Sequence, residues 1–309
     1  MLKSRAWPRG VIPFFGVILL LFFREAAMDG VRSGCLICAN TLIPTLFPIS
    51  VLTGCLIRMH TEGKAGGKAG IWFRKALGLP GFCAVPLVLG LLGGFPLGAQ
   101  LTADLYESGR LSREDAIRLS ALSNNAGPAF LLGSVGAVLR DPTIGLWLLG
   151  IQTLSTFFVG LLLKKPKNHG AALLDQRPPA SAGFFSVLPA SLESSAAAML
   201  RLAAAVCFFR AWSSCLERLI PFYKLPALYR AGCLGLLEIV GGVTALQEVP
   251  GDIAFPMAAL LIGWGGLCVH LQTAAALRRV GLPIKEYLSV KLLQALFAFS
   301  FAAFITRFR

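Results

Sequence analysis

Asn124-Asn125 stand two residues before Gly127-Pro128, halfway along the apolar stretch LSALSNNAGPAFLLGSVGAVL (119–139). Asn, Gly and Pro end helices in water. In lipid each freed backbone group is costly unless protein or water satisfies it. The stretch is therefore either a loop between two short helices or a membrane helix that is deliberately broken. A break at 124–128 exposes half-helix ends. Gly127 serves as a permissive N-cap and Pro128 suits the first helical position. The second half-helix then aims free N–H groups and a positive dipole end at the gap, which favours an anion. Asn124 and Asn125 add amide donors and acceptors, so substrate binding is the chemistry expected of them and of Gly127. The plainer alternative is a kinked packing helix.

A second interrupted stretch, GWGGLCVHLQT (263–273), carries Gly263, Gly265 and Gly266. His270 and Gln272 are two apart and so lie on different helical faces. Gln272 is the favoured cavity residue, and a lone His is no metal site. Gln100 is a comparable amide candidate. Glu238 interrupts another apolar run, where a charge is expensive unless paired or wet. It either holds a coupling cation or proton, or forms a structural bridge with Arg201 or Arg210. Those arginines sit ~13.5 Å apart along a helix. One could balance an anionic substrate; otherwise both snorkel to a lipid interface. Asp104 is either a functional charge or an interfacial one.

These residues need a membrane scaffold to position them. Of the 309 residues, 56% are apolar and 14% charged, and the mean hydropathy is +0.71. A soluble chain is nearer a quarter charged. Long apolar runs at 10–24, 33–57, 83–103, 117–139, 143–163, 193–216, 231–247, 254–277 and 287–306 read as membrane segments. They do not alternate, which argues against strands. The expected fold is an all-α polytopic membrane protein in a bacterial membrane. The net charge of +14 lies mostly in the loops, as the positive-inside rule requires, and no nucleic-acid motif accompanies it. Lipid is the expected surroundings and a small anion the expected ligand, in a monomer or a homo-oligomer.

Loop charges also separate spanning from re-entrant segments. With all nine segments spanning and the N-terminus inside, Lys and Arg number 15 inside and 11 outside. With 83–103 and 231–247 folded back as hairpins, they number 18 and 8, a better fit to the rule. This predicts seven spanning helices and two hairpins. The hairpin tips are expected at Gly93, Gly94, Pro96 and Gly98 in the first and at Gly241 and Gly242 in the second. The order of elements repeats, and an odd number of intervening spans would invert the second copy. Inverted repeats with paired broken helices point to a transporter site at mid-membrane. The expected division is an N-terminal helix (1–30), a first repeat (31–163), a basic linker (164–192), a second repeat (193–286) and a C-terminal helix (287–309).

The eight cysteines fall in apolar segments and read as small hydrophobes. Cys35-x-x-Cys38 lacks a second pair or a nearby His, so no disulfide framework is expected. Residues 10–24 form a short first helix or, less in keeping with the many later segments, a cleaved signal. No nucleotide-binding, metalloprotease or nucleophile motif is present. An enzyme, a bound metal and a cofactor are not expected; the coupling cation is left open between H⁺ and Na⁺.

The stretch GLLGGFPLGAQLTADLYESGRLSREDAIRLSALSNNAGPAFLLGSVG (90–136), with the looser LLEIVGGVTAL and GWGGLCVHLQ, resembles the signature of YlbJ-type sporulation integral membrane proteins. These belong to the wider nucleoside-recognition, or Gate-domain, proteins. The resemblance covers about residues 31 to 300. It implies a fold related to concentrative nucleoside transporters and a place in the forespore membrane. It further implies a role in moving dipicolinate, a small planar dianion, by alternating access. A nucleoside carrier and a non-transporting sporulation scaffold or sensor are the alternatives. By the same resemblance, Asn124, Asn125, Gly127, Gln100, Glu238 and Gln272 map onto positions lining a shared cavity. The chain has Phe95 before the hairpin Pro and Ile239-Val240-Gly241 after Glu238, both departures from the family pattern.

Overall fold

In the computed structural model, residues 10–59, 68–163, 183–221 and 224–308 are described, and all their regular structure is helical. The basic linker falls mostly outside the described residues. Four helices are long and apolar enough to cross a membrane: Thr143–Leu162, Phe184–Leu219, Gly251–Arg279 and Lys285–Thr306. A bent pair, Arg24–Leu42 and Leu46–Leu56, makes a fifth candidate with a 54° angle. Two of the seven expected spans come out in shorter pieces. Segment 10–24 yields the 12-residue helix α1 (Val11–Phe22). Segment 117–139 is divided at its polar centre.

The faces of α15 (Lys285–Thr306) show which solvent the fold is built for. Tyr287, Lys291, Gln294, Ala298 and Ala302 follow helical spacing and are buried, whereas Leu292 and Leu296 are 53% and 52% exposed. A helix with its ammonium inside and its leucines outside is inverted for water and correct for lipid.

Residues 25–32, read from sequence as a loop, are helical. They belong to α2 (Arg24–Ile37), which runs through a π-helical turn, Cys38–Leu42, into α3 (Ile43–Met59). Their charges suggested a loop, but Gly30 and Gly34, four residues apart, let α2 lie directly on α10 (Phe184–Leu219). A Cβ on Gly30 would stand 2.7 Å from the Ala211 Cα, and one on Gly34 2.9 Å from the Cys207 Cα. Small residues at this spacing allow such close helix crossings. The approach brings the Cys35 and Cys207 sulfurs to 3.6 Å, giving the Cys-x-x-Cys motif a neighbour from a distant segment. Copper-phenanthroline oxidation should therefore link Cys35 to Cys207. Peptide mapping should find that link in the wild-type protein and not in Cys35→Ser; its absence from the wild type would refute the α2–α10 packing.

Two hairpins follow the expected order. In the first, α5 (Ala84–Gly93) and α6 (Leu97–Glu107) pack against each other. The turn uses Gly94 at φ +75°, ψ −173°, a region open essentially to glycine. It is closed by the Leu97 N–H donating to the Gly94 carbonyl at 2.9 Å. In the second, α11 (Ala227–Leu237) packs on α12 (Ile239–Ala245). Its reversal lies at Glu238, not at Gly241-Gly242. Those glycines are inside α12, where Gly242 lies against Gly235 so closely that a Cβ would be 2.7 Å from the Gly235 nitrogen.

Each hairpin precedes a broken helix. α7 (Arg113–Ser123) is capped by Ser112, whose Oγ accepts from the Asp115 N–H. It stops at Asn124; the chain resumes as a π-helical segment, Ala129–Val135, and the short α8 (Gly136–Val138). The second is α13 (Gly251–Trp264) and α14 (Gly266–Arg279), separated by Gly265 at φ +96° and Gly266 at φ +74°. A long helix follows each broken helix: α9 (Pro142–Leu162) and α15, which pack together. In addition α7 meets α15 and α9 meets α13.

Candidate functional site

The hairpin turns and the helix breaks meet. A Cβ on Gly94, in the first turn, would lie 2.7 Å from the Gly127 nitrogen in the first break. A Cβ on Gly266, in the second break, would lie 3.1 Å from the Gly235 carbonyl and 3.3 Å from that of Leu237, beside the second turn. Phe95, next in the first turn, faces Gly265 in the second break; a Cβ there would meet its ring at 3.4 Å. Backbone thus approaches backbone where side chains would obstruct it. The four irregular segments line one pocket, whose wall includes Gly94, Phe95, Gly127, Glu238, Gly265 and Gln272. Apolar side chains of α3 and α10, among them Leu46 and Val206, complete it. The cavity is about 80 Å³.

Part of the backbone in the first break finds partners within the protein. Gly127 accepts from the N–H groups of Phe130 and Leu131 at 3.1 Å, and Pro128 has helical dihedrals of −54° and −40°. Gly127 and Pro128 therefore take the N-cap and first-turn places read from the sequence. Gln152 of α9 imitates a missing peptide. Its Oε1 accepts from the Ala126 N–H at 3.0 Å, and its Nε2 donates to the Ala126 carbonyl at 2.8 Å.

The two asparagines turn away from the cavity wall. Asn124 Nδ2 donates to Thr273 Oγ1 at 2.8 Å and Tyr287 Oη at 2.9 Å. Asn125 Oδ1 accepts from Gln294 Nε2 at 2.7 Å, Lys291 Nζ at 3.0 Å and Thr156 Oγ1 at 3.3 Å. Both belong to a buried polar network joining α7, α9, α14 and α15. Sequence reasoning missed Lys291, Gln294, Tyr287 and Gln152. Their signal was present: Tyr287, Lys291 and Gln294 share one helical face inside an apolar span.

Glu238 lies at the N-terminus of α12. Its Oε1 accepts from the Val240 N–H at 2.7 Å and its Oε2 from the Gly241 N–H at 2.8 Å. Arg210 Nη1 is 3.8 Å from Oε2, so the bridging partner is Arg210. Arg201 is exposed on α10 and does not line the cavity. Gln272 lines it and donates to Cys268 Sγ at 3.3 Å, while His270 packs edge-on to Trp264 and Tyr287. Gln100, Gly93, Pro96, Gly98, Gly241 and Gly242 stand behind the wall; Gln100 is half-buried on α6. Asp104 is exposed and pairs with Arg279, which also meets Glu107 at 3.4 Å.

Among curated proteins, the chain is similar to the sporulation integral membrane protein YlbJ of Bacillus subtilis (strain 168). It is 23% identical over 317 residues, which cover 89% of this chain and 76% of that protein. The chain is a homologue of YlbJ. The similarity carried by residues 90–136 thus extends across both hairpins and both breaks. It agrees with the inverted polarity of α15 and the candidate spans: this is an integral membrane protein. No family model and no solved structure matches the chain.

Proposed function

We propose that the chain is a sporulation membrane carrier that moves a small anionic metabolite, dipicolinate, across a forespore membrane by alternating access. The membrane and sporulation setting is supported by the similarity to YlbJ. The carrier reading rests on one observation: two hairpin turns and two helix breaks, one of each from either half, bound a single cavity. Irregular backbone deep in a membrane protein belongs where it lines such a chamber. Paired in two repeats, it is the arrangement expected of a carrier, with the second repeat inverted and the fold related to concentrative nucleoside transporters.

At about 80 Å³ the chamber is smaller than the roughly 300–1,000 Å³ of ligand pockets in general. Admitting a ring-bearing dianion therefore requires the tips to part. Phe95 is the group that moves, because it bridges the first turn and the second break. The apolar wall suits the flat faces of an aromatic ring.

Purified protein in proteoliposomes should take up radiolabelled dipicolinate above protein-free vesicles, and an imposed H⁺ or Na⁺ gradient should identify the coupling ion. Excess unlabelled dipicolinate should abolish uptake and uridine should not. Uridine competition would instead make the protein a nucleoside carrier. An absence of flux under every gradient would leave a scaffold or sensor.

A further inference from the structure

The cavity wall offers a dianion little positive charge of its own. Glu238 is acidic, and Arg210 is already engaged with it and, at 3.3 Å, with Ser33 Oγ. The uncommitted charge lies one layer deeper. Lys291 is 0% exposed, and among the described residues its ammonium donates to neutral amide oxygens, Asn125 Oδ1 at 3.0 Å and Gln294 Oε1 at 2.8 Å. No described carboxylate lies within 4.0 Å of it. The titratable groups around it are Tyr287 on its own helix and His270 on α14, and neither is acidic in the way a carboxylate is. Buried ammonium groups are ordinarily neutralised by a partner, because amides solvate a charge without cancelling it. Phe95, which lines the cavity, holds its ring centroid 5.9 Å from Nζ.

We infer that Lys291 is the counter-charge for the carried anion, screened behind Phe95 while the tips are together and reached by a ligand carboxylate when they part. The inference rests on the carrier reading above and deepens it: the chamber selects carboxylates because Lys291, the buried cation behind its wall, has no described carboxylate within 4.0 Å. The network is also suited to holding the ammonium ready. Asn125 and Gln294 fix Nζ from two sides, so little ordering remains when the anion arrives.

Two ligands that differ in charge and not in shape test this: dipicolinate and the neutral pyridine-2,6-dicarboxamide. Binding of each to the purified full-length protein is measured by titration calorimetry, for the wild type, Lys291→Met, Lys291→Arg and Phe95→Ala. Lys291→Met should weaken dipicolinate by about 30-fold and the diamide by less than about 3-fold, since a charge-assisted hydrogen bond is lost to one ligand only. Lys291→Arg should restore much of the difference, and Phe95→Ala should keep the preference for the dianion. Equal loss of both ligands in Lys291→Met, with Lys291→Arg no better, would make Lys291 purely structural and overturn the inference. So would undiminished dipicolinate binding. A wild type that binds the diamide and not dipicolinate would overturn this assignment alone; one that binds neither would overturn the carrier reading with it.

Discussion

Asn125→Leu should destabilise the detergent-solubilised protein by roughly 3–5 kcal/mol, the range for stranding a buried charge. The expectation follows from one oxygen. Asn125 Oδ1 accepts from Lys291, Gln294 and Thr156, and leucine fills the space while accepting nothing. Among the described residues Lys291 Nζ would be left with Gln294 Oε1 alone as acceptor, and a stranded buried donor costs more than the bond it loses. Asn124→Ala makes the control. Its Nδ2 donates to two neutral hydroxyls and its Oδ1 has no hydrogen-bond partner among the described residues. That change should cost only about 1–3 kcal/mol. Fluorescence-detected size-exclusion chromatography after heating should rank the variants Asn125→Leu well below Asn124→Ala. Equal midpoints would mean that Asn125 is not the hub of this network.

That ranking also marks where sequence reasoning reaches its limit. The break at 124–128 was legible because Asn, Gly and Pro cannot sit inside an apolar helix without a reason. Which way the asparagines face was not legible, because it depends on partners from α9, α14 and α15, up to 169 residues away. The first hairpin was legible through Gly94 and Pro96. The second turn was displaced in the reading because Gly241-Gly242 looks like a reversal. In the fold those glycines serve close packing, and the reversal falls to Glu238, whose side chain satisfies the N–H groups that the turn exposes. Charge, read as a sign of loops, hid α2: Arg24, Glu25, Asp29 and Arg32 lie on a helix that approaches α10 through Gly30 and Gly34. In each case the local pattern identified an irregularity, and distant packing decided its purpose.

The same logic bears on Glu238, the one acidic side chain on the cavity wall. Alanine there removes two charge-assisted bonds to backbone N–H groups and leaves Arg210, whose side chain is 19% exposed, without its carboxylate. Loss of a cap costs about 0.5–2 kcal/mol, and an unpaired, mostly buried guanidinium adds to it. Glu238→Ala should therefore destabilise by roughly 2–4 kcal/mol, discounted from the fully buried case because Arg210 retains some solvent and Ser33. Glutamine is the informative change. It keeps one acceptor for α12 and gives up the charge together with the second acceptor, whose place the amide nitrogen takes. Because it keeps the side-chain volume and one acceptor but still removes the Arg210 carboxylate, Glu238→Gln should destabilise less than alanine, by about 1–2 kcal/mol, and stay folded. It should carry substrate within about threefold of wild type, under 1 kcal/mol of barrier, and respond unchanged to an ion gradient. A Glu238→Gln protein that stays folded but gives no response to the gradient would place the coupling cation on this carboxylate. The Arg210 pair would then be a resting state that the ion displaces.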